Sequence, residues 1–436
     1  MKVLILGQGG REHAIAHKLS LSPMVDKVYV YPGNPGMDSG KLSIESLHYL
    51  NLNHQDLVNF CKNKNVDLTI VGPEVYLSEG IVDLFNENNL LIVGPTKAAS
   101  RLESSKVFAK EIMSKSNVPT ASYGEFRDAS MALKYIENSS SEKMVVKCNG
   151  LAAGKGVVVC LTKEEAKNAV TAFMLEAVLG FNEEHIIIEE YLEGSEVSVF
   201  ALCDGEDFIN LGSACDHKRL RDGNLGPNTG GMGTYAPCPF LSENDHIYIN
   251  KNIFSPVLKK MKQMGFSFNG ILFAGLMKTK DGLKVLEFNV RLGDPETQSL
   301  LPLINEDIAP MLFAAAQGQL ANYKQINHKS FVSLKDQKAV HIVLAAFGYP
   351  GTEGITVRSG DKITISENFR KSDSDFLYFS GVKQINDDLV TNGGRVMGIT
   401  ALAESFSLAR SNAYENCELV EFSGLQKRSD IAKGVE

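Results

Sequence analysis

The sequence predicts an α/β protein that begins with an open parallel sheet. Residues 2–6 form an almost wholly apolar run, typical of a buried strand, and the glycine turn at 7–10 leads into a helix expected from residue 11 to about 21. Two further strands, expected at 27–31 and 66–71, each end in a turn containing glycine and proline. Strands that alternate with helices favour parallel pairing, so these elements predict a Rossmann-like sheet.

A helix near 79–88 and a strand at 90–93 complete this first unit. The chain has 436 residues, which is long enough for about three domains that each bury a core. Ligands of open parallel sheets bind beyond the carboxyl ends of the strands. The turns after the first three strands are therefore candidate binding loops.

Composition excludes several classes of protein. With 44% hydrophobic and 22% charged residues the chain has a globular composition, and no apolar run approaches the roughly 20 residues that a membrane span requires. A net charge of −8 without a basic stripe argues against a nucleic-acid binder. Seven cysteines without a CxxC pair predict reduced thiols in the cytoplasm. We expect a soluble protein that contacts neither nucleic acid nor membrane.

The turn at 7–10 raises the alternative of a dinucleotide site. The third glycine of that fingerprint would fall on Glu12, and the acid expected after the second strand is missing because Tyr31 leads into Pro32. These departures argue against an NAD-dependent dehydrogenase. A glycine turn at a helix amino terminus can still bind phosphate through free backbone N–H groups, and a plain tight turn without a ligand remains the alternative.

The next region predicts a hairpin with a glycine-rich tip. Ser104 or Ser105 is expected to cap a helix that runs to about Lys115, and Asp128 to cap another. Strands expected at 144–147 and 157–160 flank the loop 150–156, which Lys147 and Lys155 bracket with positive charge. Such a loop can approach phosphates, but it lacks the Walker spacing, so a mobile hairpin without a ligand is an equal alternative.

The stretch 284–297 predicts the chemistry most directly. It follows a turn at 280–282 that pairs it as a hairpin with 270–278, and strand alternation places Glu287, Asn289 and Arg291 on one face, with Leu286 and Phe288 on the other. A carboxylate and an amide oxygen are hard ligands for Mg²⁺, and a guanidinium can hold an anion beside the metal. The alternative is a solvated polar strand face.

Two further regions complete the chain. Residues 212–237 hold a polar glycine-rich string that is too long for a simple connector, and a helix is expected from 244 to 264. Polarity rises from about residue 322, and a new unit begins at 335–347. A strand at 394–400 and a helix at 404–416 close it.

Six ordered strings together resemble the ATP-grasp superfamily, and within it the glycinamide ribonucleotide synthetase family. They lie at 7–14, 33–36, 71–74, 151–156, 226–233 and 287–297. Val290 and Leu292 stand where many relatives have Cys and Phe, but both are apolar and change no assignment.

The resemblance implies a four-part architecture. An amino-terminal substrate domain would occupy 1–103, and a two-part ATP-grasp of α+β type 104–325, with a lid subdomain at about 118–192. A small α/β carboxyl-terminal domain would occupy 326–436.

The resemblance also implies a set of site residues. Nucleotide-binding residues would be Lys106, Lys147, Gly154, Lys155, Gly156, Glu189, Tyr191, Leu192 and Glu196, and the ligands of Mg²⁺ or Mn²⁺ would be Glu287 and Asn289. Catalytic residues would be Arg291, Asp294, Asp216 and Lys218. Substrate contacts would be Gly9, Gly10, Asn34, Pro35, Gly36, Pro73, Glu74, Thr229, Gly230, Gly231, Pro295 and Glu296.

The activity implied by the resemblance is the ATP-dependent ligation of glycine to 5-phosphoribosylamine through a glycyl phosphate, in purine biosynthesis. Asp216, Asp294 and solvent all stay open as the proton acceptor, and a monomer is favoured. Alternatives are another ATP-grasp carboxylate-amine ligase or carboxylase of nucleotide metabolism, and a nucleotide sensor without catalysis.

Overall fold

The computed structural model describes residues 1–38, 43–150, 156–176, 185–352, 354–369 and 372–436. Its first unit is the predicted open parallel sheet, with strand order β3-β2-β1-β4-β5. The elements are β1 (Lys2–Gly7), α1 (Gly10–Ser20), β2 (Lys27–Pro32), β3 (Ile44–Ser46), α2 (His54–Lys64), β4 (Leu68–Val71), α3 (Glu74–Glu79), α4 (Ile81–Glu87) and β5 (Ile92–Val93). The helix expected at 79–88 corresponds to α4, and Gly80 at φ +93° separates it from the preceding α3.

Strand β1 is buried on both faces, as its apolar run predicts. Val3 and Ile5 pack into one hydrophobic cluster, whereas Leu4 and Leu6 belong to another on the opposite face. Helices cover both faces of the sheet, which is the usual environment of a parallel sheet. This leaves only the loops beyond the strand ends free to form a site.

The part of the chain expected to form the lid subdomain contains a separate four-stranded antiparallel sheet with order β6-β9-β7-β8. Helices α5 (Lys97–Ser104) and α6 (Lys106–Lys115) lead into it, and Ser105 caps α6 by accepting from the Phe108 N–H. Its elements are β6 (Tyr123–Phe126), α7 (Ala129–Asn138), β7 (Met144–Cys148), β8 (Val157–Cys160), α8 (Lys163–Met174) and β9 (Ile186–Glu190). The predicted hairpin of β7 and β8 is confirmed, with Lys147 opposite Val157.

An eight-stranded sheet joins the middle of the chain to its carboxyl-terminal unit, in the order β16-β15-β10-β11-β14-β17-β22-β19. The middle elements are β10 (Ser195–Asp204), β11 (Phe208–Asp216), β12 (Arg219–Arg221), β13 (Leu225–Asn228), β14 (Gly233–Ala236), α9 (Glu243–Ile249), α10 (Ser255–Gln263), β15 (Asn269–Thr279), β16 (Gly282–Asn289), α11 (Glu296–Leu300), α12 (Ala309–Ala316) and α13 (Leu320–Asn327). The expected helix at 244–264 contains a π-helical segment, Asn250–Phe254, between α9 and α10.

The carboxyl-terminal unit pairs directly with this sheet, because Thr234 of β14 lies opposite His341. Its elements are β17 (Lys338–Ala345), β18 (Thr364–Ile365), β19 (Asp375–Phe379), β20 (Val382–Ile385), β21 (Asp388–Thr391), β22 (Arg395–Ala403), α14 (Phe406–Cys417) and β23 (Val420–Glu421). Within the described ranges, no helix has the length and apolarity needed to cross a membrane.

The alternation predicted for β16 is wrong at one residue. Val285, not Leu286, shares a hydrophobic cluster with Phe288, and Leu286 packs against a separate small cluster. A β-bulge causes the difference, because Gly275 pairs with Glu287 while the next residue, Leu276, pairs with Val285. A bulge adds one residue to a strand, so the period of two is interrupted there.

Candidate active site

The Glu287 carboxylate lies at the centre of a group of cationic side chains from four parts of the chain. Burial alone would raise the pKa of Glu287, but these cations hold it below its ordinary value. They are Lys218, Lys147, Lys106 and Arg291. The carboxylate therefore stays ionised, with four cationic side chains near it.

Lys106, at the start of α6, and Lys147, on β7, both reach this site. The Lys106 ammonium donates to the Gly150 carbonyl at 3.1 Å, and the Lys147 ammonium to the Leu286 carbonyl at 3.1 Å. Burial lowers the pKa of Lys106, an effect that Glu287 opposes. Both lysines can thus meet a polyphosphate that lies beside β16.

A buried carboxylate binds Lys147 to a second lysine. Glu189 places Oε2 at 3.0 Å from the Lys147 ammonium and Oε1 at 3.2 Å from that of Lys110. Both Glu189 and Lys110 are almost fully buried. The predicted hinge residue Glu189 therefore belongs to an internal cluster of three charged residues. Its member Lys110 was not among the predicted site residues.

A small apolar cluster lies next to these charges. Leu192 packs with Ala121, Met277 and the bulge residue Leu286. The adjacent Tyr191 ring lies 5.2 Å from the ammonium of Lys143. Apolar side chains beside the predicted hinge at 189–192 suit the face of a nucleobase.

Lys218 and Glu196 form an ion pair of 2.7 Å at the open rim of the site, with each side chain about half exposed. Burial would lower the pKa of Lys218, but the carboxylates of Glu196 and Glu287 outweigh it and raise the pKa. The structure thus joins the predicted ribose acid to a predicted catalytic lysine.

Arg291 is held in place by two acids. Its guanidinium lies 3.0 Å from Glu103 and 3.4 Å from Glu74, and it also donates to Asn289 Oδ1 at 3.2 Å. Glu103 in addition accepts from the Val290 N–H at 2.8 Å. Burial raises the pKa of Glu103, although Arg291 opposes the change. Arg291 is therefore oriented toward the end of β16.

Glu287 and Asn289 fit a divalent cation by their chemistry. One ionised carboxylate and one amide oxygen on adjacent same-face positions match Mg²⁺, which keeps several waters and takes further oxygens from substrate phosphates. Asn289 already directs Oδ1 toward a cation, the Arg291 guanidinium. In the part of the chain that the structure describes, no group of three or more His, Cys, Asp or Glu side chains is arranged for a metal.

Asp216 is a partly buried acid with one buried, unpartnered oxygen. Its Oδ1 has no hydrogen-bond partner, and burial together with the nearby Glu296 carboxylate raises its pKa well above the ordinary value. Glu296 accepts from the Ser198 hydroxyl at 3.0 Å. A second face of the site, beside Pro295, thus offers an acceptor to a donor-bearing ligand.

Gly231 brings two loops together at this face. Its φ of +109° disfavours any side chain, and a Cβ there would overlap Pro295 and approach Asp216 Oδ1. Thr229 fixes the same loop, because its hydroxyl donates to the Lys218 carbonyl at 2.8 Å and accepts from the Gly231 N–H at 3.0 Å. The predicted string 226–233 is therefore a built wall of the site.

Arg395 of the carboxyl-terminal unit links this wall to the loop after β16. Its guanidinium donates to the Gly230 carbonyl at 2.5 Å and to the Asp294 carbonyl at 2.7 Å, and it lies 3.2 Å from the Asp294 carboxylate. The Gly230 N–H donates to the Tyr349 hydroxyl at 2.8 Å. Burial would raise the pKa of Asp294, but Arg395 and Arg11 outweigh this effect and lower it.

The amino-terminal turn lies close by, and its first donor is occupied. Glu12 accepts from the Gly9 N–H at 2.7 Å as a capping side chain, while Arg11 donates to the Leu292 carbonyl at 3.1 Å. A Cβ on Gly10 would approach both Gln298 and Ser380. Any phosphate here must bind N–H groups other than that of Gly9.

Asn34 organises the second amino-terminal loop. Its amide donates to the carbonyls of Gln8, Phe379 and Ser380 at 2.8, 3.2 and 3.3 Å, and its Oδ1 accepts from the Gly36 N–H at 3.0 Å. Pro35 begins a single 3₁₀ turn, and Pro73 precedes helix α3, whose first residue is Glu74. Gly36 packs against the Phe379 ring. The carboxyl-terminal unit therefore contributes backbone to this loop.

Two predicted nucleotide residues, Gly154 and Lys155, lie outside the described residues. The neighbouring Gly156 is buried, and its carbonyl accepts from the Cys148 N–H at 2.8 Å.

Sequence reasoning missed three residues of the site, Lys110, Glu103 and Arg395. Lys110 had a usable signal, because it lies one helical turn after Lys106 among residues that are otherwise apolar. Arg395 follows a Gly-Gly pair at the start of a strand, which also marks a loop near a site. Glu103 carried no local signal.

Three family models match the chain in order. They are described as the phosphoribosylglycinamide synthetase N domain at residues 1–103, its ATP-grasp (A) domain at 104–297 and its C domain at 339–434. The phosphoribosylamine–glycine ligase of Caldanaerobacter subterraneus subsp. tengcongensis is 41% identical over 438 residues, covering 100% of each chain.

Solved structures show the same similarity. The crystal structure of phosphoribosylamine–glycine ligase from Thermotoga maritima superposes with a TM-score of 0.83 at 31% identity, covering 99% of this chain and 100% of that one. The biotin carboxylase domain of the Hydrogenobacter thermophilus 2-oxoglutarate carboxylase, solved with MgADP, ADP and bicarbonate, has a TM-score of 0.72 at 18% identity, covering 98% and 91%. At that identity the second likeness concerns the fold alone.

Proposed function

The chain belongs to the phosphoribosylglycinamide synthetase family, and on this premise we propose that it joins glycine to 5-phosphoribosylamine with cleavage of ATP. The products are glycinamide ribonucleotide, ADP and phosphate, a step of purine biosynthesis. The observation that carries the proposal is the set of four cations that face the ionised Glu287. Phosphoryl transfer requires positive charge around the phosphates and an oxygen ligand for a divalent metal, and this arrangement supplies both.

Chemistry explains why ATP is needed. A carboxylate is a poor electrophile, because an amine that attacks it would have to expel an oxide. A carboxylate oxygen of glycine therefore attacks the γ-phosphorus, and ADP leaves. The amine of phosphoribosylamine then attacks the carbonyl carbon of glycyl phosphate, and phosphate departs with the bridging oxygen. Each step has a stable leaving group.

The nucleotide is assigned to the space between the lid and β16. Lys106 and Lys147 hold the phosphates, and the adenine lies against the apolar cluster around Leu192, beside the hinge from Glu189 to Tyr191. Glu196 binds the ribose, in exchange for part of its present contact with Lys218. Gly154, Lys155 and Gly156 remain predicted nucleotide contacts, and the acyl phosphate must be kept from water if the amine is to react with it.

Glu287 and Asn289 would hold a divalent metal, Mg²⁺ or Mn²⁺. When bound, such an ion neutralises charge on the phosphate oxygens and orients them. Arg291, fixed by Glu103 and Glu74, and Lys218 stabilise the charge that develops on the transferred group. These side chains are already oriented in the structure, so they need little reorganisation during the reaction.

Glycine is assigned to the wall formed by Thr229, Gly230 and Gly231, opposite Pro295 and Glu296. Asp216 offers this ligand a buried, unpartnered acceptor. Phosphoribosylamine is assigned to the loops that carry Gly9, Gly10 and Asn34 to Gly36, next to Pro73 and Glu74. Asp294 lies between the two substrates, because its carboxylate contacts Gln298 at 2.9 Å near Gly10 and Arg395 near Gly230. We place the enzyme in the cytoplasm as a monomer that acts on small molecules, without nucleic acid or membrane.

Omission of one substrate at a time tests the function. Purified protein with Mg²⁺ and ATP should release phosphate at a sustained rate only when glycine and phosphoribosylamine are both present. Alanine or aspartate should not replace glycine, because a side chain would clash with the Gly230–Gly231 wall. Equal phosphate release with alanine, aspartate or bicarbonate would identify a different ATP-grasp ligase or a carboxylase. No release with any acid and amine would remove the enzymatic interpretation.

A further inference from the structure

Lys110 is a buried cation that the reaction described above does not use. It lies one turn after Lys106 on helix α6, and only 2% of its surface is exposed. Its ammonium contacts Glu189 Oε1 at 3.2 Å, the Thr120 hydroxyl at 2.8 Å and the Ala121 carbonyl at 3.3 Å. A buried lysine is costly unless its donors are paired, and here three acceptors surround it.

The cluster of Lys110, Glu189 and Lys147 has two positive charges and one negative charge. Glu189 is 3% exposed and shares its two oxygens between the lysines. With Lys110 charged, the cluster carries a net charge of +1. Without that charge, Glu189 would neutralise Lys147 one to one. The attraction that Lys147 exerts on a polyphosphate would then be largely cancelled in this poorly solvated site.

Lys110 also contacts the segment that precedes β6. The Thr120 hydroxyl, which accepts from Lys110, donates to the Val285 carbonyl at 2.6 Å, and the Val285 N–H donates to Pro119 at 2.8 Å. Val285 lies on β16, two residues before Glu287. The Lys110 ammonium thus contacts both the segment before β6 and Glu189, the acid that pairs with Lys147.

We propose that Lys110 is a positioning residue for the nucleotide, which holds Glu189 so that Lys147 keeps its charge available to the phosphates. The proposal rests on the assignment of ATP to this pocket. It adds a residue that acts through Glu189 and Lys147 and that itself touches neither ATP nor metal.

The proton equilibrium of Lys110 makes the proposal testable by pH. Burial lowers its pKa to about 8, an effect that Glu189 and Glu190 oppose and Lys147 reinforces. The Lys110 ammonium also lies 5.1 Å from the centre of the Tyr123 ring. As pH rises through 8, the net charge of the cluster should fall from +1 to 0, and nucleotide affinity should fall with it.

Calorimetric binding of ADP, between about pH 7 and 9.5, tests this with the full chain. Lys110→Met should bind ADP about tenfold more weakly than the wild type at pH 7 and should lose the decline through pH 8. Lys110→Arg should bind like the wild type at pH 7 and stay strong to pH 9.5, because arginine remains charged. The control is Lys115→Met, at the exposed end of the same helix, where Lys115 pairs with Glu111 at 2.6 Å.

Wild-type affinity with a wild-type pH profile in Lys110→Met would overturn the proposal. If that variant does not fold, Lys110→Arg decides alone, since a retained decline through pH 8 in the arginine variant contradicts the role. ADP binding requires neither glycine nor phosphoribosylamine. Failure of the ligase assay would therefore leave this result standing, and failure here would leave the ligase reaction standing.

Discussion

The guanidinium of Arg395 lies 3.2 Å from the carboxylate of Asp294 and donates to the carbonyl of the same residue at 2.7 Å. The two residues belong to different units of the chain, and the pair closes the site on the side away from the nucleotide. Arg395 also holds the Gly230 carbonyl. The carboxyl-terminal unit therefore fixes the relative position of the two loops to which glycine is assigned.

Arg395→Met should reduce turnover at least tenfold and raise the KM for glycine, because both loops lose their common donor and Asp294 its partner. This ion pair is only partly exposed, so the free energy of unfolding should also fall. ADP affinity should not change. Arg358→Met is the matched control, since Arg358 pairs with Asp361 at a more exposed position of the same unit. An unchanged KM for glycine in a folded Arg395→Met protein would contradict the assignment.

Glu287→Gln should abolish most turnover while the protein stays folded, because the amide keeps the shape of the side chain and loses the charge that attracts a metal. ADP binding measured in EDTA should be equal or tighter, since one negative charge is removed from among four cations. Mg²⁺ should no longer strengthen it. A variant whose ADP affinity responds to Mg²⁺ like that of the wild type would defeat the metal assignment.

Gly231→Ala should lower the melting temperature and impair glycine binding. The cost has two sources: the positive φ, worth about 1–3 kcal/mol for a residue with a Cβ, and the overlap with Pro295 beside Asp216. Gly265→Ala separates them, because Gly265 has φ +83° and nothing within 4 Å of its Cβ position. Equal destabilisation of the two variants would show that the close approach at Gly231 has no energetic weight.

Acid should destabilise the contact between helix α1 and strand β19. His13 accepts from the Phe379 N–H at 3.0 Å through Nδ1, and burial, reinforced by His17, lowers its pKa to about 3. The folded pKa is below the ordinary 6.5, so this stabilisation is complete above pH 6.5 and is lost as the pH falls toward 3. One such histidine contributes a slope of up to about 1.4 kcal/mol per pH unit.

Urea unfolding at several pH values between about 7 and 4 measures this slope. His13→Gln should reduce this slope by up to about 1.4 kcal/mol per pH unit. The remaining slope includes His341 and His217, whose pKa values burial lowers to about 3 and about 4. If the free energy of unfolding of His13→Gln varies with pH as steeply as that of the wild type, the fold does not lower the pKa of His13.

Features that depend on neighbours in sequence were predictable. Ser105 and Asp128 each cap a helix as expected, since a cap needs only the N–H group three residues later. The hairpin of β15 and β16 follows from its turn. The spacing of Gly9 and Glu12 would have predicted that Glu12 occupies the turn's first donor, because it is that of a capping box.

Features that depend on distant partners were not predictable. Glu103 meets Arg291 across 188 positions, and Arg395 meets the Asp294 carbonyl across 101. No local pattern encodes such pairs, because both charged residues could equally lie in solvent. The bulge at Leu286 is a third case, since it depends on how Gly275 and Leu276 pair with the strand. The face that carries Glu287 was nevertheless predicted, because the bulge lies before it.

The transfer of oxygen from glycine to phosphate tests the central claim most directly. Glycine labelled with ¹⁸O in both carboxylate oxygens, incubated with protein, Mg²⁺, ATP and phosphoribosylamine, should yield inorganic phosphate with one ¹⁸O and an amide product with the other. This follows because the bridging oxygen of a glycyl phosphate comes from glycine and leaves with phosphorus. Phosphate without label, released at the rate of amide formation, would show that ATP does not activate the glycine carboxylate and would contradict the proposed reaction.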